Sequence, residues 1–113
     1  MIIPQTEWLA PTEYPDLRSA NEIAIDLETR DPDLKKLGSG AITSNGEVVG
    51  IAVAVDGWKG YFPIAHEIGP NLDRKKVLDW FKDVCESPAT KIFHNAMYDV
   101  CWIRNLGIKI NGL

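Results

Sequence analysis

Two acidic residues one position apart, Asp26 and Glu28, stand in the stretch Ile23-Ala24-Ile25-Asp26-Leu27-Glu28-Thr29. Apolar Ile23, Ile25 and Leu27 alternate there with Ala24, Asp26 and Glu28, the pattern of a short strand. Side chains of a strand alternate faces, so both carboxylates project the same way, with α-carbons about 6–7 Å apart. Like charges that close repel unless a proton or a cation lies between them. A third carboxylate, Asp99, falls in a segment of helical spacing. At 100° per residue, Asn95, Ile103 and Leu106 lie within about 40° of it, which sets Asp99 in the apolar stripe meant for the sheet. An unpartnered buried carboxylate costs several kcal/mol. A buried salt bridge or a cap is the plain remedy, although no basic residue shares that face and Arg104 lies about 140° away. A metal ion shared with Asp26 and Glu28 is the chemical remedy. On the residues alone both stay open.

These carboxylates need elements to hold them, and the chain supplies the signals in order. Residues 1–22 contain Pro4, Pro11 and Pro15 with aromatic clusters at Trp8 and Tyr14, and read as an extended arm with one turn near Pro15-Asp16-Leu17. A strand follows over about 23–28. Residues 29–45 are rich in charge, Gly and Ser and read as a long loop. A second strand spans 47–55, with Val49, Ile51, Val53 and Val55 on one face and Gly50, Ala52 and Ala54 on the other. Asp56-Gly57 marks a hairpin, and the return strand over 59–64 is confined to an edge by Pro63.

Asn71 or Asp73 can cap a helix running to about 87, whose Val77, Leu78, Phe81, Val84 and Cys85 share one face. A short strand over 91–94 and a helix from 95 or 96 to Gly107, a left-handed C-terminal cap, complete the order. Three antiparallel strands, a helix, a strand and a helix predict an α/β fold with a mixed sheet. The helical crossover sets the last strand parallel to the first.

Length and composition bound the function. A chain of 113 residues is one domain at most, and 45% hydrophobic with 25% charged residues is ordinary globular composition. No apolar run approaches the ~20 residues of a membrane span, and the N-terminus lacks the pattern of a signal peptide, so no membrane partner is expected. Cys85 and Cys101 have no metal-type spacing and read as free, buried thiols of a reducing cytoplasm. The net charge of −4 argues against a protein that neutralises many phosphates with its own side chains. It leaves room for an enzyme that meets phosphate through carboxylate-bound metal.

At this point the residues resemble a family. Ile25-Asp26-Leu27-Glu28-Thr29 resembles the first motif, Asp-x-Glu, of 3′→5′ proofreading exonuclease domains. Phe93-His94-Asn95-Ala96-Met97-Tyr98-Asp99 resembles the second, Asn-x-x-x-Asp at the start of a helix. Gly60-Tyr61-Phe62-Pro63-Ile64-Ala65-His66 looks like the Tyr-aliphatic-Pro-aliphatic-Ala-His strand of the DNA polymerase I family (family A), and Leu106-Gly107-Ile108 is similar to its continuation. The likeness spans about 23–110 and is closest to polymerase-attached exonucleases of bacteria and their phages.

It implies a ribonuclease H-like fold and hydrolysis of the 3′-terminal phosphodiester of DNA by a two-metal mechanism, with Mg²⁺ or Mn²⁺ ligated by Asp26, Glu28 and Asp99. Asp26 would bridge both ions, Glu28 would serve the nucleophile side and Asp99 the second ion. Leu27, Thr29, Asn95 and Tyr98 would meet the substrate strand, Tyr98 having covering the helix as its plain reading. The partners implied are a single-stranded DNA 3′ end and the remainder of a polymerase chain, in the cytoplasm (the host's if phage-encoded).

The family's third motif, Tyr-x-x-x-Asp or His-x-x-x-x-Asp, is missing. Only His94 and Asp99 have such a spacing, and Asp99 already belongs to the second motif. Residues 23–113 are therefore expected to be a partial exonuclease domain truncated before its C-terminal helices, weakly active or inactive alone. A stand-alone exoribonuclease of the same superfamily and a catalytically silent polymerase scaffold are the alternatives. His66 and His94 read first as structural, Trp58, Trp80 and Trp102 as core or sheet-edge cover, and Asp73-Arg74-Lys75-Lys76 as a solvated helix start.

Overall fold

The computed structural model describes residue 11 and residues 13–113; the Trp8 cluster and the rest of the arm's beginning lie outside them. Strand β1 (Glu22–Arg30) is followed by two single-turn helices, α1 (Leu34–Leu37) and α2 (Gly40–Thr43). Next come β2 (Glu47–Val55), β3 (Trp58–Pro63), helix α3 (Arg74–Glu86), β4 (Thr90–Phe93) and helix α4 (Ala96–Asn105). The sheet order is β3-β2-β1-β4. β1 and β2 pair antiparallel, as do β2 and β3, and β4 runs parallel to β1 with Ile25 opposite Phe93. This is the mixed α/β sheet that the element order predicts.

The alternation in β1 divides its side chains between two environments. Ile23, Ile25 and Leu27 join Ile51, Val53 and Phe62 in one core, closed by Val77, Phe81, Val84 and Cys85 of α3 and by Trp102 and Ile103 of α4. Burying a side chain of that size is worth about 1.5–3 kcal/mol each. This core fixes which face of β1 remains for Asp26 and Glu28. The described end of the arm is tied down by aromatics. Tyr14 stacks on Phe62 at 5.7 Å between centroids, and Trp80 Nε1 donates to the Pro15 carbonyl at 2.7 Å. The turn falls slightly later than expected, with Ala20 N donating to Leu17 O.

Helix ends follow local chemistry. Asp73 caps α3 by accepting from Lys76 N, and Gly107, at φ +80°, ends α4 in the left-handed region. Two expectations need correction. Residues 29–45 are not simply loop, because Ser39 caps α2 through Ala41 N and α1 makes one turn after Asp33. Four-residue helices are too short to show periodicity. Cys101 is half-buried, whereas Cys85 is fully buried, since α4 turns its Trp102–Ile103 edge inward. Among the described residues no helix is long and apolar enough to cross a membrane.

Candidate functional site

The parallel register of β1 and β4 positions the carboxylates. With Ile25 beside Phe93, the chain leaves β4 alongside Asp26 and enters α4 at once. Asp99 then lies one turn inside the helix, its amide donating to Asn95 O at 3.0 Å. Its side chain is buried, 4% exposed, and its pKa is pushed up to about 6. Burial is the largest cause and the nearby Asp26 charge the second. A hydrogen bond from the Leu27 backbone and the charge of His94 oppose them. Asp26 and Asp99 therefore face each other electrostatically, as a strand-and-helix pair of carboxylates should.

Glu28 is held by other groups. Tyr61 Oη donates to Glu28 Oε2 at 3.1 Å and lies 2.5 Å from His66 Nε2, which is itself 4.0 Å from Glu28 Oε2. Among the described residues no three His, Cys, Asp or Glu side chains come together closely enough to hold a metal ion. The structure brings Asp99 to Asp26 and directs Glu28 toward Tyr61.

The expected substrate residues fall in three places. Leu27 turns its side chain into the core on the opposite face from Asp26 and Glu28, and its contribution to the site is the backbone bond to Asp99. Thr29 Oγ1 and Tyr98 Oη are hydrogen-bonded to each other at 2.8 Å, and Tyr98 also donates to Asp31 Oδ2 at 2.7 Å. Burial is the first cause that raises the Tyr98 pKa. Asn95 is exposed at the start of α4 and does not cap the helix with its side chain.

Three residues that the sequence left without a role shape the site. Asp31 accepts Gly40 N at 3.0 Å on both carboxylate oxygens while holding Tyr98, so it ties α2 to α4. Tyr61 reaches Glu28 across β2, which is open to it only because residue 50 is glycine. A Cβ at Gly50 would stand 1.8 Å from the Tyr61 hydroxyl. The available signal was the glycine inside the β2 strand, which marks a close approach. Exposed Leu34, Leu37, Ile42 and Met97 lie on α1, α2 and the first turn of α4.

The carboxylates are hard oxygen donors, the kind that Mg²⁺ and Mn²⁺ prefer and zinc does not, but among the described residues they are not gathered into one cluster. No family model matches the chain. It is 46% identical, over an alignment 114 positions long that covers 92% of the chain, to a DNA-directed DNA polymerase of Pseudomonas phage M6. The chain spans 16% of that protein's length. It is therefore similar to one segment of a phage DNA polymerase.

Proposed function

We propose that the chain is a metal-dependent 3′→5′ exonuclease domain of a DNA polymerase, of ribonuclease H-like fold, that removes the 3′-terminal nucleotide of DNA in proofreading. The observation that carries this reading is the pairing of buried Asp99 with Asp26 at the strand-to-helix junction. Two carboxylates kept together against burial and repulsion call for a shared proton or a bound cation, and the motif resemblance favours the cation. The 46% identity to a phage DNA polymerase supports DNA, rather than RNA, as the substrate.

In this reading Asp26 and Asp99 would hold the divalent ions, and Glu28, turned toward Tyr61, would join them from the same strand face. Bound there, the ions would neutralise the carboxylates, polarise the phosphodiester and acidify the attacking water. Asn95, exposed at the helix start, meets the substrate strand. Thr29 and Tyr98 brace each other and fix the α1–α2 segment beside the path of the DNA end. Leu27 serves through its backbone.

Thermal melting in a Mn²⁺ titration, paired with digestion of 5′-labelled single-stranded DNA, tests the reading. A tenfold excess of Mn²⁺ over its Kd should add about 1.4 kcal/mol of stability, and Asp26→Asn should abolish the gain. Shortening of the DNA from its 3′ end should be slow and metal-dependent. A melting point indifferent to Mn²⁺ would refute the reading in favour of a silent scaffold, and preference for an RNA 3′ end would turn it toward an exoribonuclease.

A further inference from the structure

We propose that His66, Tyr61 and Glu28 form a one-directional hydrogen-bond relay in which Tyr61 is the positioning residue for the Glu28 carboxylate. The proposal rests on the reading of Glu28 as a metal ligand for its purpose, but not for its geometry.

The direction follows from counting protons. An ionised carboxylate only accepts, and a phenol has one hydrogen and two lone pairs. The Tyr61 hydrogen therefore points at Glu28 Oε2, 3.1 Å away. The 2.5 Å contact between Tyr61 Oη and His66 Nε2 then needs its hydrogen on Nε2. The reverse arrangement, with Nε2 bare, would set the hydroxyl lone pairs against an anionic oxygen. The relay thus fixes the tautomer of His66 as well as the orientation of Glu28.

The scaffold holds each member. Tyr61 is 7% exposed, and its ring passes over the side-chain-free Gly50, the residue paired with Glu28 on β2. His66 is clamped at its backbone by Asn71, which accepts His66 N at 2.8 Å and donates to His66 O at 3.0 Å. Ile64 and Ala65 amides both donate to Val49 O, tying the approach to His66 onto β2. A glutamate left to rotate loses side-chain entropy on engaging a cation. One already held by a buried donor is preorganised, and such outer partners typically matter about 10–100-fold in metal affinity.

Imidazole ¹⁵N spectra of the 113-residue chain decide the geometry, because the chain has 2 histidines and His94→Gln separates their signals. His66 should carry its hydrogen on Nε2, and Tyr61→Phe should mix its tautomers. Mn²⁺ affinity decides the purpose. Tyr61→Phe and Gly50→Ala should each weaken it about tenfold. His66→Gln, whose amide nitrogen can take the place of Nε2, should retain affinity that His66→Ala loses.

A bare Nε2 in the wild-type chain would overturn the relay, and so would unchanged Mn²⁺ affinity in both Tyr61→Phe and Gly50→Ala. If Gly50→Ala fails to fold, Tyr61→Phe alone decides, because a free neutral imidazole already favours the Nε2 hydrogen. A wild-type chain that takes up no Mn²⁺ yet whose His66 tautomers mix only in Tyr61→Phe would refute the nuclease reading while supporting the relay.

Discussion

Asp99 is the residue on which the energetics of the site turn. Its folded-state pKa of about 6 lies above the ~3.9 of an aspartate in an unfolded chain. Between those values the folded chain holds a proton that the unfolded chain has released. Stability from this site is therefore fully present below pH 4, is lost as pH rises to 6 and is constant above that. The loss is on the order of 3 kcal/mol for a gap of this size. Asp99→Asn keeps the shape and removes the charge. In EDTA it should melt above the wild type at pH 8, with the difference closing near pH 4.5. Parallel pH profiles for the two proteins would show that Asp99 carries no such penalty. The position of Asp99 was legible from the sequence because a carboxylate within an apolar helical stripe breaks the pattern. The part played by Tyr61 was not legible, since it depends on which residue of β2 lies beneath its ring. The hairpin at Asp56-Gly57 sets the register, which pairs Tyr61 with Ala52, but Gly50 is a diagonal neighbour two residues along, and which way the ring leans is a rotamer choice that the turn does not specify.

At the scale of elements, the strands were legible through alternation and α3 through its 3.6-residue period. What escaped was the set of polar ties between elements. Residues 108–113 carry no secondary structure, yet they are fastened to β4. Lys91, 4% exposed, donates from Nζ to the carbonyls of Ser87, Ala89 and Asn111 at 2.6, 2.7 and 2.9 Å. Its own amide donates to Gly112 O at 2.7 Å, and Asn111 N donates to Cys85 O at 2.9 Å. Burial lowers the Lys91 pKa, and the three carbonyls offset that cost by taking all three ammonium hydrogens. A lysine in a short strand gives no hint of this in sequence, because the carbonyls are backbone groups brought in by the turn after α3 and by the C-terminal stretch. Lys91→Met should leave those carbonyls unpaired and cost about 2–3 kcal/mol. Hydrogen exchange should show lost protection at Asn111 ahead of the β1–β2 ladder. Retained protection at Asn111 would mean that Lys91 is not the tie.

For the whole molecule, the proposed function requires a chain of net charge −4 to meet a polyanion. The sheet order, the carboxylate pair and the similarity to a phage polymerase segment suit an answer in which the metal supplies the positive charge. The competing answer relies on exposed Lys35 and Lys36 of α1 and Arg74, Lys75 and Lys76 of α3. The two differ in what controls binding. Contacts through Lys and Arg release counterions, so affinity persists in EDTA and falls with salt at a log–log slope of about −0.7 per single-strand phosphate contacted. Contacts through carboxylate-bound metal vanish with the chelator. Anisotropy titrations of a labelled single strand, in EDTA and in Ca²⁺ at equal ionic strength, separate them. Binding should be weak in EDTA and rise about tenfold or more with the cation, since a tenfold rise corresponds to only 1.4 kcal/mol. That rise should disappear in Asp26→Asn/Asp99→Asn and survive in Lys35→Ala/Lys36→Ala. Equal affinity with and without the cation, together with a steep salt slope, would place the DNA on the basic residues of α1 or α3 and leave the carboxylate pair without the role proposed for it.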